Sequence, residues 1–164
     1  MNKLIIIAAV GKNLELGYNN NLIWHIKEDL QFFKNQTINH HILMGSKTYL
    51  SLPKLLPNRK HIILTSKPKN TYPEDVIVIN SIDEFNIVRD SINDDIYVIG
   101  GAYVYKEFIN DADEIILTEI DDEFSKADAY FPKIMYEDYD RVIISENKNN
   151  IPNYKHVKYI KKNR

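Results

Sequence analysis

Six short runs of apolar residues, each bounded by polar or turn residues, punctuate the chain: Leu4–Val10, His41–Met44, His61–Thr65, Val76–Ile79, Ile96–Ile99 and Glu114–Ile120. They read as Ile, Val and Leu runs rather than strict alternation, the pattern of strands buried on both faces. The stretches between them change period. Lys27–Gln36 brings Leu30, Phe32 and Phe33 around one side, and Ser46–Leu52 follows Gly45. Ile82–Arg89 follows Asn80-Ser81, and Ala102–Ile109 follows a double glycine. Strands alternating with helical segments predict βαβ units and a mainly parallel sheet with right-handed crossovers. The end of the chain departs from this rhythm. Only NKNNIPNY separates Asp140–Glu146 from a run ending in His156–Lys161, too little for a helical crossover, which predicts an antiparallel hairpin at one sheet edge. Lys161–Arg164 is a basic tail expected to fray. No repeat, linker or low-complexity tract interrupts the pattern, so a single domain over residues 1–164 is expected.

Composition changes this picture little but narrows the chemistry. Hydrophobic residues make up 44% and charged residues 27% of the chain, as in ordinary globular proteins. A net charge of −2 does not suggest nucleic acid or a membrane surface as the main partner. The absence of cysteine excludes disulfides, a thiolate nucleophile and cysteine metal sites. The opening MNKLIIIAAVGKN reads as a first strand and not as a signal peptide, and no apolar stretch approaches the ~20 residues of a membrane span.

Candidate chemistry gathers where predicted strands end. Asp29 lies five residues after the only Trp, Trp24, with apolar Leu30 and Phe33 nearby. Apolar surroundings destabilise a carboxylate's charge and suit it to proton transfer; an acid in a first helical turn also simply complements the helix dipole. Gly100-Gly101, between a strand and a helix, lets backbone approach a pyrophosphate or makes a tight turn. The sequence there is GGAYVY, without the dinucleotide fingerprint. Gly45, Ser46, Lys47 and Thr48 offer donors, a cation and a hydroxyl after another strand but lack the start of a P-loop, so an NTPase is not expected. Thr65, Ser66 and Lys67 follow a third strand, and ligands of open α/β sheets collect at such ends. Arg59, in LPNRK, suits a carboxylate or is a solvated loop charge. Of the five histidines only His40 and His41 are close in sequence, and neighbours on a strand face opposite ways, so a metal site is not expected. No G-x-S-x-G elbow occurs.

As a set, five blocks resemble the dihydrofolate reductase family in its short bacterial or phage form, from about Leu4 to Lys161: IAAVGKNLELGYNNNLIW, EDLQFFK, ILMGSKTYLSL with LPNRKHIILTS, YVIGGAYVYKEF, and ILTEID followed by DAYFP. The resemblance implies an α/β three-layer fold: a central eight-stranded, mostly parallel sheet, an antiparallel C-terminal strand and four flanking helices. An adenosine-binding subdomain is implied at roughly 40–93. It implies NADPH-dependent reduction of 7,8-dihydrofolate to 5,6,7,8-tetrahydrofolate, with hydride to C6 and a proton to N5. The product carries one-carbon units for thymidylate, purine and glycine metabolism. Asp29 is then the sole ionisable side chain at the pterin, Thr118 orients it, and Trp24 supports the site and its water. Ile7, Ala8, Leu30, Phe33, Leu52, Leu56 and Ile99 line the folate cleft, and Arg59 grips the substrate's α-carboxylate. Tyr105 lies beside nicotinamide and pterin. Glu15–Leu22 match a mobile loop over the nicotinamide, in which Leu16, Gly17, Asn20, Asn21 and Leu22, with Ala9, meet the cofactor. Lys47 and Thr48, with Gly100, Gly101, Ala102, Tyr103 and Val104, hold the pyrophosphate, Thr65, Ser66 and Lys67 meet the adenosine 2′-phosphate, and Gly45, Ser46, Asn80, Ile99 and Tyr105 also line the cofactor site. A cytoplasmic monomer that also takes antifolates such as methotrexate or trimethoprim is implied.

Four positions depart from the family pattern. Ile23 stands where Pro usually precedes the tryptophan, Ser46 and Tyr103 where many members carry Arg, and Tyr49 where Trp is common. The loss of two cations leaves a preference for NADPH over NADH resting on Lys47, Lys67 and hydroxyl donors. A reductase of a pyrimidine intermediate in riboflavin synthesis is a second reading on the same fold, against which Asp29, Phe33 and Arg59 argue. A folate- or nucleotide-binding protein without turnover is the third.

Overall fold

The computed structural model describes residues 2–149 and 151–163. In chain order the elements are strands β1 (Leu4–Val10), β2 (Glu15–Tyr18) and β3 (Asn21–Leu22), helix α1 (Lys27–Thr37), β4 (His41–Gly45), α2 (Ser46–Ser51), β5 (Lys60–Leu64), β6 (Ile77–Ile79), α3 (Ile82–Asp90), β7 (Ile96–Gly100), α4 (Ala102–Phe108), β8 (Glu114–Ile120), β9 (Ala129–Tyr130), β10 (Tyr139–Asn147) and β11 (Tyr154–Lys161). Every apolar run became a strand and every helical stretch a helix, with boundaries moved by a residue or two. Eight strands form one sheet in the order β10-β11-β8-β1-β7-β4-β5-β6. The six strands from β8 to β6 are parallel, whereas β11 runs antiparallel to β8, and β10 to β11. Apolar side chains leave both faces of the central strands. Leu4, Ile6, Leu43, Val98 and Leu117 pack under α3 and α4 around Phe85 and Phe108. Ile5, Ile7, Ile42, Met44 and Ile116 pack on the other face with Phe32, Phe33, Leu52 and Leu56 of α1 and the segment after α2. Burying each such Ile or Leu stabilises the fold by about 1.5–3 kcal/mol.

The order of strands fixes where a ligand can bind. From β1 the chain moves outward through β4, β5 and β6, returns to place β7 between β1 and β4, and then crosses to β8 on the far side of β1. The carboxyl ends of β1, β7 and β4 thus surround the switch in direction, where open α/β sheets leave a crevice.

Two features were not anticipated. The segment expected as a mobile loop contains a hairpin: β2 pairs with β3 through Asn19 and Asn20, both at positive φ (52° and 63°). This is the backbone of a type I′ turn, which Asn tolerates. β9 pairs with β2 to make a small second sheet. The expected fraying of the tail is also corrected at its start. The Lys161 and Lys162 amides donate to Asp113 O and Asp138 O at 3.1 and 2.9 Å, while Arg164 lies outside the described residues. Among the described residues no helix is long and apolar enough to cross a membrane.

Candidate active site

Asp29 sits in the first turn of α1, with Glu28 beside it, so the helix dipole does favour its charge. That bland role is not its only one. The turn lies over the carboxyl half of β8 and the amino half of antiparallel β11, and the Thr118 hydroxyl donates to Asp29 Oδ1 at 2.5 Å. His156 Nε2 meets the same oxygen at 2.9 Å. Thr118 and His156 are opposite each other in the β8–β11 register, and Ala9 is the partner of Thr118 on β1. The His156 ring is 93% or more removed from solvent and stacks on Phe32, with ring centroids 3.7 Å apart and planes within 7°. The expectation that Asp29 is the sole ionisable group here is therefore corrected: a buried imidazole, 127 positions away in the chain, shares its carboxylate. Oδ2 has no hydrogen-bond partner among the described residues and is the oxygen left for a ligand.

Ile7, Phe33, Leu52, Leu56 and Ile99 belong to one cluster on this face of the sheet, whereas half-buried Ala8 packs its side chain against the cluster on the opposite face, so only its backbone is available to this side. Leu30 joins neither cluster and is 51% exposed on α1. His61, buried at the start of β5, accepts the Leu56 amide through Nε2 at 3.0 Å and so fixes the segment leading to Arg59. Burial pushes its imidazole below the usual range and keeps it neutral, as an acceptor must be. Arg59 is not a solvated loop charge. Its Nε donates to Pro57 O at 3.1 Å and its Nη1 to Thr37 Oγ1 at 3.2 Å. One edge of the fork is used to orient the side chain, and Nη2 has no protein partner among the described residues. Partial burial draws its pKa down.

At the ends of β7 and β4 the backbone is bare by construction. Gly100 has φ +136°, a conformation that favours glycine, and it is joined to Gly101 by a cis peptide. A Cβ on Gly100 or Gly101 would meet Thr48 Oγ1 at 3.3 or 3.5 Å, so the start of α2 stands directly beside the double glycine. Gly45 has a different reason: a Cβ there would press on Val104 Cγ2 of α4 at 3.0 Å. Tyr105, buried in α4, donates its hydroxyl to Ile7 O at 2.7 Å and ties β1 to the same corner; burial pushes that phenol well above its ordinary range. Lys47 is exposed, Ser46, Thr48, Gly101 and Ala102 are half-buried, and Val104 is packed. Tyr103 points outward, 67% exposed and hydrogen-bonded to Glu107.

Beyond β5, Thr65 spends its hydroxyl internally, accepting from the Lys67 amide at 3.1 Å and from Tyr72 at 3.3 Å. Asn80 donates to Thr65 O and Lys67 O at 2.7 and 3.0 Å and sets the loop, which leaves Ser66 and Lys67 exposed. On the opposite side of the crevice, Leu16 and Gly17 lie on β2, Asn20 in its turn, and Asn21 and Leu22 on exposed β3. Trp24 donates Nε1 to Asp122 Oδ2 at 3.0 Å, fastening this hairpin to the segment after β8. Glu15 fastens it again. It is 1% exposed, and its two oxygens accept the Asn13 and Phe124 amides, each at 2.7 Å. Burial alone raises a carboxyl, but these backbone donors outweigh it and hold Glu15 below its ordinary value. Far from the crevice, His40 and His41 do not face opposite ways, because His40 precedes β4: both Nδ1 atoms reach Asp94, at 2.6 and 3.0 Å.

Sequence reasoning missed His156, Glu15, Asp122 and His61. The fixed face alternation of a strand ending at Lys161 put His156 on a definite side of the sheet, but the sequence carried no sign of which helix lay over it. The Asn-Asn pair in YNNNL was a usable hairpin signal.

This geometry has counterparts in known proteins. The family model described as dihydrofolate reductase matches residues 3–164. The chain is 39% identical over 154 residues to the dihydrofolate reductase of Buchnera aphidicola subsp. Acyrthosiphon pisum, covering 91% of this chain and 93% of the relative. It is 35% identical over 161 residues to that of Bacillus subtilis, covering 96% and 94%. The fold matches the dihydrofolate reductase of Enterococcus faecalis, solved in complex with NADP(H) and RAB-propyl, with a TM-score of 0.85 at 30% identity over 98% of this chain and 97% of the other. With its blocks, its sheet order and a nearly full-length match in agreement, the chain belongs to the dihydrofolate reductase family of oxidoreductases.

Proposed function

We propose that this protein reduces 7,8-dihydrofolate to 5,6,7,8-tetrahydrofolate with NADPH, and so supplies one-carbon carriers for thymidylate, purine and glycine synthesis. The observation that carries the reading is Asp29: a partly buried carboxylate with Oδ1 held by protein donors and Oδ2 without a hydrogen-bond partner among the described residues. A carboxylate with one free oxygen pairs with the amino and ring-nitrogen edge of a pterin and promotes protonation at N5, with water as the carrier. Ile7, Phe33, Leu52, Leu56 and Ile99 enclose the ring, with Leu30 at the exposed rim. Arg59, oriented by Pro57 and Thr37, receives the α-carboxylate of the glutamate tail through its remaining edge.

The residues at the strand ends fit a dinucleotide. The bare backbone of Gly100 and Gly101 beside Thr48, with Gly45, Ser46, exposed Lys47 and Ala102, forms a cradle in which Gly100, at φ +136° and with Thr48 Oγ1 only 3.3 Å from where a Cβ would stand, has no room for a side chain. The Asn80-braced loop presents Ser66 and Lys67 to a 2′-phosphate. NADPH, when bound, supplies the hydride. Tyr105 and Ile7 form one edge of the slot where that transfer occurs, and Ala9, Leu16, Gly17, Asn20, Asn21 and Leu22 close it against water. Tyr103 is turned away, so it is assigned no contact through its hydroxyl. A cytoplasmic, monomeric enzyme open to antifolates such as methotrexate and trimethoprim completes the proposal.

The test follows loss of the near-ultraviolet absorbance of NADPH with dihydrofolate present. Turnover supports the reading; tight methotrexate binding without turnover replaces it with a binding protein, and turnover only with a pyrimidine substrate replaces it with the riboflavin-type reductase.

A further inference from the structure

One row of side chains crosses three strands and ends on the carboxylate. Ser145 on β10, His156 on β11 and Thr118 on β8 are register partners in sequence across the sheet. The pairing of β10 with β11 is broken at one point only, between Ile143 and Ser145, where one residue is skipped. Without that irregularity Ile144 would oppose His156. With it, the Ser145 hydroxyl lies 3.0 Å from His156 Nδ1. Bulges re-aim side chains in this way.

The hydrogen-bond roles follow from chemistry. An ionised carboxylate only accepts, so the proton between His156 and Asp29 is on Nε2. In a neutral imidazole Nδ1 is then an acceptor, and the Ser145 hydroxyl donates to it. The stack on Phe32 holds the plane of the ring, and the contacts with Ser145 and Asp29 at its two nitrogens select its orientation within that plane. Thr118 and His156 thus both donate to Oδ1. Two donors at one oxygen restrict the carboxylate plane and leave Oδ2 as the oxygen without a hydrogen-bond partner among the described residues.

We infer that His156 is a positioning residue for the reductase reaction: held by Ser145 and Phe32, it donates from Nε2 to Asp29 Oδ1 and sets the orientation in which Asp29 receives the substrate ring. The inference rests on the reductase reading and deepens it. It separates this carboxylate from one braced by a threonine alone.

The test pairs His156→Phe, which keeps the aromatic stack and removes the donor, with His156→Gln, whose amide can donate in its place. In His156→Phe, kcat/KM for dihydrofolate is expected to fall about tenfold, the factor that one charge-assisted hydrogen bond commands. The dissociation constant for NADPH stays within twofold and the melting temperature does not fall. His156→Gln recovers most of the loss. In the unmodified protein, nitrogen NMR of the histidine ring is expected to show the proton on Nε2, with that signal shifting in Asp29→Asn. An unaffected His156→Phe enzyme, a glutamine variant no better than the phenylalanine one, or a ring protonated at Nδ1 alone overturns the assignment. A parent protein that never oxidises NADPH with dihydrofolate instead overturns the reading beneath it, while the NMR result still judges the contact itself.

Discussion

At the scale of single residues, function here is a matter of which atom is left free. Asp29 keeps Oδ2 and Arg59 keeps Nη2 after their other atoms are committed to the protein. Asp29→Asn keeps the shape and loses the charge. Its turnover near neutral pH is expected to fall by about 10²–10⁴, the range of general acid–base catalysis. NADPH binding is unchanged, and activity partly recovers at low pH, where the substrate arrives already protonated. Steady-state rates across pH, with a fluorescence titration of NADPH, check both halves. Arg59→Gln is expected to raise KM for dihydrofolate about 10- to 100-fold, as loss of a charge-assisted pair does, with little change in kcat. The same variant should treat a dihydropterin lacking the glutamate tail as the parent does; an equal penalty on both substrates removes Arg59 from the tail site. Asp29 drew notice from its own neighbours in sequence, whereas its contact with Thr118 was expected only through the resemblance, and the surroundings of Arg59 left a loop charge and a carboxylate site both open. His156 was not legible, because its meaning comes from a helix it meets only after folding.

At the scale of elements, long apolar runs were readable and short strands were not. The strands β1, β4, β7 and β8 carry five to seven residues each, enough for hydrophobic pattern to decide. β2, β3 and β9 carry four, two and two, and their order comes from tertiary bonds. Glu15 is the principal one. Burying a carboxylate in a two-turn hairpin segment contradicts the ordinary rule for charged residues, and only the Asn13 and Phe124 amides make it tolerable. Glu15→Gln is expected to cost about 1–3 kcal/mol, a fall in melting temperature of roughly 2–12 °C for a chain of this size. The sign of its pH dependence follows from the lowered pKa. The folded state binds this proton less readily than the unfolded chain does. The contribution is therefore complete above the unfolded value of 4.5 and is lost as the pH falls through the lower folded value. Parent and variant melting temperatures should converge below pH 4.5. Hydrogen exchange at the Phe124 amide should quicken in the variant; an unchanged rate there places the hairpin's anchor elsewhere, on Trp24 and Asp122.

At the scale of the whole molecule, the sheet order makes one crevice from segments distant in the chain, and that order was the least legible feature. Local pattern gave parallel strands joined by helices, but the insertion of β7 between β1 and β4 is a choice among topologies that short-range pattern does not make. The resemblance did not specify it either: it implied an eight-stranded, mostly parallel sheet with an antiparallel C-terminal strand, and the order of the strands came only with the structure. The double glycine at the end of β7 and the Ser66-Lys67 loop beyond β5 stand at the same end of parallel strands, so on the proposed reading one dinucleotide spans both and couples the two regions. A ligand that binds only the folded state stabilises it by about 2.7 kcal/mol at one hundred times its dissociation constant, roughly 5–11 °C here. NADPH is expected to raise the melting temperature by that amount and NADH by less at equal concentration. The gap measures what the 2′-phosphate contributes. With Ser46 uncharged at the start of α2 and Tyr103 exposed, the exposed Lys67 is expected to carry much of that contribution. Lys67→Gln should therefore shrink the NADPH shift toward the NADH shift while leaving the NADH shift alone. If instead both shifts fall together, Lys67 serves the fold of the Asn80-braced loop and the phosphate is read by other groups.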